Sequence, residues 1–283
     1  NKSNSDAAKM LQQAEMAMYR AKHAGKNTYR FFDSTMDEQI KRRIYLQQQL
    51  EVAIKSDTAF SLRYQPQVFT SNNQVYGAEA LMRWEVTPGE WVSPFEFISL
   101  AEETGQIIEI GIWLMNNLFQ QMADWNKRGI EFGTISMNIS AIQLARDNLA
   151  ERMLALMQDF AIPAEQVCVE ITETTLMTSS DQVMENLKLL KKAGIALAID
   201  DFGTGYSSMS YLKAIEANQV KIDRSFIIGI GNKDVDEHII RATIALAHSL
   251  KLETVAEGVD SQEQLDFLKQ LNCDYIQGYF FAQ

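Results

Sequence analysis

The sequence predicts an α/β chain: a (β/α)8 TIM-type barrel with one antiparallel strand, preceded by a short helical N-terminal segment. Three observations carry this reading. From residue 60 to the end there are eight short β-type runs, with helical stretches between the later ones, the pattern of βαβ crossovers over a mainly parallel sheet. The first two runs are separated only by residues 70–74, too few for a crossover helix, so they pair as a hairpin and one strand runs antiparallel. Eight strands over this length match the size of a closed barrel. An open doubly wound sheet is the runner-up, because strand order is not legible in sequence; no GxGxxG follows an early strand to support a dinucleotide site.

Taken in order, Ala7, Met10, Leu11, Ala14, Met16, Ala17, Met18 and Ala21 lie on an apolar stripe at helical spacing, with Gly25 as a stop. Tyr29, Arg30, Phe31 and Phe32 read as a short strand. A second helix over 35–56 carries Ile40, Ile44, Leu50 and Ile54 among Gln, Lys and Arg, the pattern of a solvated linker with one apolar face. The chain thus divides at 1–33, 34–56 and 57–283. The β-type runs have cores at 62–68, 75–84, 135–140, 167–172, 195–200, 219–223, 254–257 and 275–279. Helices are expected over 107–127, 141–160, 181–193, 235–250 and 261–271.

Composition narrows the function. The chain has 283 residues, 46% hydrophobic and 22% charged, as in a soluble globular protein with room for a large core. No stretch of 18 apolar residues occurs and the first residues are no secretory signal, which predicts a cytoplasmic location, or the cytoplasmic part of a membrane-anchored protein. A first residue other than Met predicts a piece of something longer. Cys168 and Cys273 stand alone, against a disulfide scaffold or structural zinc. Lys and Arg total 26 against 37 Asp and Glu, a net charge of −11, which excludes duplex nucleic acid as a natural partner. A small anionic ligand fits only where metal ions or a local cationic pocket offset the field.

Side chains alternate across a strand, so residues of one parity share a face. Ile195, Leu197 and Ile199 oppose Ala196, Ala198 and Asp200; Val167, Val169 and Ile171 oppose Cys168, Glu170 and Thr172; Ile135, Met137 and Ile139 oppose Ser136, Asn138 and Ser140. The bulky set belongs against the helices, which leaves the polar set inside the barrel. Each inward set then ends near the C-terminal end of its strand in Asn138, Glu170, Asp200, Lys221, Glu257 or Gln277, with Glu79 and Arg83 at matching parity on the second strand. Barrel enzymes place catalytic groups at this rim, and carboxylates inside a barrel are costly unless paired or metal-bound. Oxygen donors without His or Cys suit Mg2+ or Mn2+. Asp200 points inward while Asp201 begins a turn, so one carboxylate can bridge two ions and the other bind only the second. With Lys221 holding a water or a phosphate oxygen, the rim reads as metal-assisted hydrolysis of a phosphate ester. The segment from Phe202 to Ser208, with two glycines and three hydroxyls, reads as a lid or regulatory loop beside it.

At these residues the sequence resembles the EAL-domain family, bacterial phosphodiesterases acting on cyclic di-GMP. Glu79-Ala80-Leu81 within Tyr76 to Trp84 resembles the signature. Tyr64-Gln65-Pro66, Asn138-Ile139-Ser140, Glu170-Ile171-Thr172-Glu173, Asp200 to Ser208, Lys221-Ile222-Asp223, Glu257-Gly258-Val259 and Gln277-Gly278-Tyr279 agree in order, from about residue 40 to the end. The resemblance implies hydrolysis of cyclic di-GMP to linear 5′-pGpG with two Mg2+ or Mn2+ ions per site. It assigns Glu79, Asn138, Glu170 and Asp200 to one ion, and Asp200, Asp201 and Glu257 to the second. It gives Lys221 the water, with Asp223 and Gln277 beside it, and Gln65, Leu81 and Arg83 the substrate, Arg83 through a phosphate. By the same resemblance, Glu173 matches a residue that anchors the loop from Asp201 to Ser208, which the family links to a homodimer interface. Residues 6–32 look like the C-terminal end of a GGDEF domain without its nucleotide-binding half, implying upstream GGDEF and sensor domains in a full-length protein. Ser99 stands for a usual Pro and Asp260 for a Glu; neither departure removes a metal ligand. A cyclic di-GMP receptor that binds without turnover is the alternative, and a protein-interaction module a third, since fold alone does not define function.

Overall fold

The computed structural model describes residues 27–29, 31–56, 58–177, 180–203, 215–232 and 234–282, with scattered positions before residue 27. It has two compact units, Asn1–Asp57 and Thr58–Gln283. In the first, a helix covers Ser34–Ala53. Of the earlier expected helix, residues 8, 9, 12, 16 and 19–21 lie outside the described residues, and every described position from 7 to 22 is helical. The strand expected at residues 29–32 is not formed at its described positions: Tyr29, Phe31 and Phe32 are irregular, and the Tyr29 and Phe31 rings are exposed and meet edge to face. A β-type run without a neighbouring strand has no partner for its backbone groups.

The second unit is a closed barrel, which decides against the open sheet. Strands β1 (Phe60–Phe69), β2 (Val75–Thr87), β4 (Thr134–Asn138), β5 (Val167–Thr172), β6 (Ala196–Phe202), β7 (Gln219–Ile222), β8 (Glu253–Glu257) and β9 (Tyr275–Gln277) follow the order β1-β9-β8-β7-β6-β5-β4-β2. Pairing of β1 with β2 closes the ring. β1 is antiparallel to both neighbours, and the other pairings around the barrel are parallel. The hairpin turn between β1 and β2 forms as its length predicts: Asn73 takes a left-handed φ of 60°, and the Phe69 N–H donates to Gln74 O at 2.8 Å.

Three local features escaped the sequence reading. A ninth strand, β3 (Glu90–Val92), pairs only with β2, and a helix Pro94–Thr104 follows it, with Pro at its start and Gly105 in the left-handed region at its end. The helix expected over 141–160 is broken into Ala141–Leu144 and Leu149–Asp159. Asn186, fully buried on the helix Asp181–Lys192, holds the break. Its side chain donates to Leu144 O and Arg146 O at 2.8 Å each and accepts from Ala150 N–H at 3.2 Å. In a continuous helix Arg146 O and Ala150 N–H would bond to one another. Finally, short helices Glu173–Met177 and Arg224–Ile227 follow β5 and β7 directly.

Strand alternation partitions the barrel as expected. Ile135, Met137, Val167, Val169, Ile171, Leu197 and Ile199 are buried in one cluster with Leu118, Phe119, Met122, Met153, Leu187 and Leu190 from the surrounding helices. The opposite faces are left to the polar set. Both thiols are buried; burial pushes Cys273 up to about 12 and Cys168 also upward, so neither is a nucleophile at neutral pH.

Closure depends on Gly77, which pairs with Thr134 across β2 and β4. A Cβ at Gly77 would lie 2.0 Å from Thr134 O. Gly77→Ala is therefore expected to prise this pairing apart and cost on the order of 1–3 kcal/mol, read as a lower urea midpoint with activity per folded molecule retained. An unchanged midpoint would show that the close approach is not required.

Candidate active site

Parallel register brings the inward strand ends to one rim. Asn138 pairs with Glu170, Glu257 with Gln277, and on the antiparallel side Gln65 with Glu79 and Gln67 with Gln277. At the centre stands Lys221, 1% exposed. Its Nζ lies 2.5 Å from Glu170 Oε2, 2.5 Å from Glu257 Oε1, 3.3 Å from Glu79 Oε2 and 3.5 Å from Asp200 Oδ1. Amides hold Glu79 in place: Asn138 Nδ2 donates to its Oε1 and Gln277 Nε2 to its Oε2, each at 2.7 Å. Gln277 Nε2 also donates to Gln65 Oε1 at 2.9 Å, and Gln67 Nε2 donates to Gln277 Oε1 at 3.0 Å.

Four carboxylates around one ammonium leave the group anionic, and burial makes that costly. Burial, then the neighbouring Glu79 charge, pushes Glu170 well above the ordinary carboxylate value. Burial lifts Glu257 to about 7 against the pull of Lys221. Burial also works against ionised Glu79, but Lys221 and the two amides outweigh it and hold this carboxyl low. Lys221 is the converse: burial disfavours its charge, yet the carboxylates, Glu170 first, keep it protonated well beyond the usual range.

Asp200 and Asp201 differ from expectation in one respect. Asp201 does not begin a turn but lies within β6, where the register against β7 shifts between Ile199 and Phe202. Such a bulge places two consecutive residues against one partner, and Asp201 takes a left-handed φ of 55°. Asp200 keeps its register against Thr172 of β5, while Asp201 escapes strict alternation at the rim. Burial and then Asp200 and Asp223 raise the Asp201 carboxyl. Asp223 itself caps the helix Arg224–Ile227, accepting from Ser225 N–H at 3.1 Å. Glu173, 5% exposed, accepts from Gly203 N–H at 3.1 Å. That is the start of the loop assigned to it; residues 204–214 lie outside the described residues.

A cavity of about 250 Å³ opens onto this rim, lined among others by Gln65, Glu79, Leu81, Asp200, Glu257 and Gln277. Arg83 is not on its wall; its guanidinium donates to Met82 O at 3.1 Å. Arg224, which the sequence reading passed over, is on the wall, its stem packed against Gly258. Gln67 was also missed, although it shares the parity of Gln65. Among the described residues no three acidic, His or Cys side chains already form a closed metal cage, because Lys221 sits between the carboxylates. The donors nonetheless fit a hard cation: Glu170 Oε1 is buried without a hydrogen-bond partner, and the surplus negative charge faces the cavity through Asp200 and Glu257.

Fold and rim together define an acidic-rimmed (β/α)8 barrel whose first strand is inverted. More narrowly, the chain belongs to the EAL domain family, whose model matches residues 47–283. Relatives include the bifunctional diguanylate cyclase/cyclic di-GMP phosphodiesterase MucR of Pseudomonas aeruginosa, 37% identical over 95% of this chain and 39% of its own length. The cyclic di-GMP phosphodiesterase NbdA of the same species is 33% identical over 97% of the chain and 35% of its own length. The chain therefore spans between a third and two fifths of these relatives. A solved structure of the PaMucR phosphodiesterase in complex with c-di-GMP superposes with a TM-score of 0.80 at 36% identity, covering 84% of this chain and 96% of that one. No helix among the described residues is long and apolar enough to cross a membrane.

Proposed function

We propose that this chain is a metal-dependent phosphodiesterase that hydrolyses cyclic di-GMP to linear 5′-pGpG. The observation that carries the reading is the convergence of Glu79, Glu170, Asp200 and Glu257 on Lys221 beside an open cavity. Membership of the EAL domain family and the ligand named for the PaMucR structure support the choice of substrate. Glu79, Asn138, Glu170 and Asp200 would hold one Mg2+ or Mn2+ ion, and Asp200, Asp201 and Glu257 the second. Bound there, the ions would supply charge neutralisation on the phosphate and an acidified water.

The chain's own residues do the positioning. Gln65 and Leu81 line the cavity and hold the substrate body. Arg83 reaches a phosphate only by leaving Met82 O, whereas Arg224 already stands on the wall. Lys221 stays protonated, so it acts as a donor and not as a base, its Nζ–H holding the attacking water or a phosphate oxygen. The water oxygen bonds to phosphorus, the P–O3′ bond breaks, and the products are a 3′-hydroxyl and a 5′-phosphate. The chain is cytoplasmic in this reading and dimerises through the region of the loop from Asp201 to Ser208. Residues before 34 are the remnant of an upstream GGDEF domain. Incubation with cyclic di-GMP and Mg2+ followed by chromatography tests the activity: pGpG is expected, while bound but intact cyclic di-GMP would select the receptor alternative.

Glu173 is a positioning residue in this scheme. With its hydrogen bond to Gly203 weakened, the loop and the adjoining Asp201 lose their anchor, and misplacement by about 1 Å costs on the order of a hundredfold in rate. Glu173→Gln is expected to lower turnover by about that factor and to weaken apparent metal affinity, with an unchanged circular dichroism spectrum. Wild-type rate and metal affinity would reduce Glu173 to a buried strand-end residue.

A further inference from the structure

A second cavity, of about 380 Å³, lies away from the catalytic rim, between the starts of the helices Ile107–Lys127 and Leu149–Asp159. This volume is in the range that small-molecule sites occupy. Its inner wall is apolar, formed by Ile108, Ile112, Met115 and Leu149. Its mouth carries Arg146 and Arg152. Neither guanidinium forms an ion pair or side-chain hydrogen bond with a described residue. Two uncommitted arginines at one cavity are unexpected in a chain of net charge −11, where carboxylates are the majority.

The backbone adds to the same field. Ile107–Lys127 is a 21-residue helix whose start, at Gln106, has no side-chain cap; its Ile108 and Ile110 N–H groups donate to Gly105 O and Gln106 O at 3.4 and 3.2 Å, so what this start adds to the region is the positive end of its dipole. Asn148, at the start of Leu149–Asp159, likewise makes no capping bond, and the Ala150 N–H is taken by Asn186. Asn148 also lines the cavity. Among the described residues, Glu109 is the one carboxylate on that wall. Two planar guanidinium forks beside the positive end of a helix suit an anion with several oxygens, and the apolar wall behind them suits a body attached to it.

We propose that this cavity binds a small organic phosphate: the phosphate held by Arg146, Arg152 and the start of the helix Ile107–Lys127, the body laid on Ile108, Ile112, Met115 and Leu149. The site is separate from the one that would hydrolyse cyclic di-GMP and does not depend on that reading. The probes are guanosine 5′-monophosphate and inorganic phosphate, titrated into protein labelled with [13C-methyl]methionine. The Met115 signal is assigned by its loss in Met115→Leu. Guanosine 5′-monophosphate is expected to shift the Met115 methyl saturably, and inorganic phosphate to bind at least tenfold more weakly. Arg146→Gln/Arg152→Gln should weaken the nucleotide by roughly tenfold or more for each charged hydrogen bond lost, with basal turnover unchanged. No shift of Met115 at millimolar nucleotide, or equal affinity in the double variant, would overturn the site. Equal affinity for inorganic phosphate would overturn the role given to the apolar wall.

Discussion

Glu79→Gln is expected to abolish hydrolysis while leaving the barrel folded. The carboxylate is buried, and its oxygens accept from Asn138, Gln277 and Lys221. Glutamine keeps the size but removes the charge, and it turns an NH2 group toward at least one of those donors. The loss falls on an electrostatic element of the reacting centre, where deleting one preorganised group costs about a hundred- to a thousandfold in rate. A lost metal ligand adds to this. Folding should survive, because glutamine keeps the side-chain volume and the apolar core outside the strands is untouched. Asp200→Asn should behave alike. Initial rates of pGpG formation beside far-UV circular dichroism check both, and a near wild-type rate in either variant would end the metal-ligand assignment.

Lys221→Met is expected to have the largest effect on stability. The ammonium is fully buried and is the only cation bonded to Glu79, Glu170 and Glu257 among the described residues. Removing one partner of a buried ionic cluster costs about 3–5 kcal/mol, because the remaining charges are left uncompensated. The loss has a predictable pH dependence. Burial already raises Glu170 and Glu257, and the latter stands at about 7. Without Lys221 both rise further. Groups raised in the folded state retain protons that the unfolded chain has released, so their contribution is fully present below the ordinary carboxylate pKa. It is lost as pH rises through the folded values. Urea denaturation of metal-free protein should therefore show a larger deficit at pH 8 than at pH 5.5, and Mg2+ should narrow it. A deficit independent of pH would contradict the cluster's role.

The site was legible in the sequence where strand alternation governs it. Glu170, Asp200, Lys221, Glu257 and Gln277 share a parity, and a parallel register carries equal parity to one rim. What was not legible depends on partners distant in the chain. The break at Arg146 is held by Asn186, and the only local hint of it is Asp147-Asn148 at the start of the second helix. The bulge at Asp201 is a property of β6 against β7, invisible in β6 alone. Arg83 has the right parity for the site, yet its long side chain turns to Met82 O; parity sets the direction of a Cβ and not the end of a flexible chain. Arg224 lies outside the strands, where parity says nothing, and it reaches the cavity because Gly258 lets its stem pass.

The central claim is that hydrolysis occurs at this rim with divalent metal ions. The most direct test is the initial rate of pGpG formation by protein stripped with a chelator, as Mg2+, Mn2+ or Ca2+ is returned. No turnover is expected without metal, and a steep rise with Mg2+ or Mn2+, as two ions fill the site. Ca2+ alone should support little, because its longer bonds and higher coordination number loosen the geometry. Turnover that persists in the chelator, or that Ca2+ alone restores in full, would contradict the account.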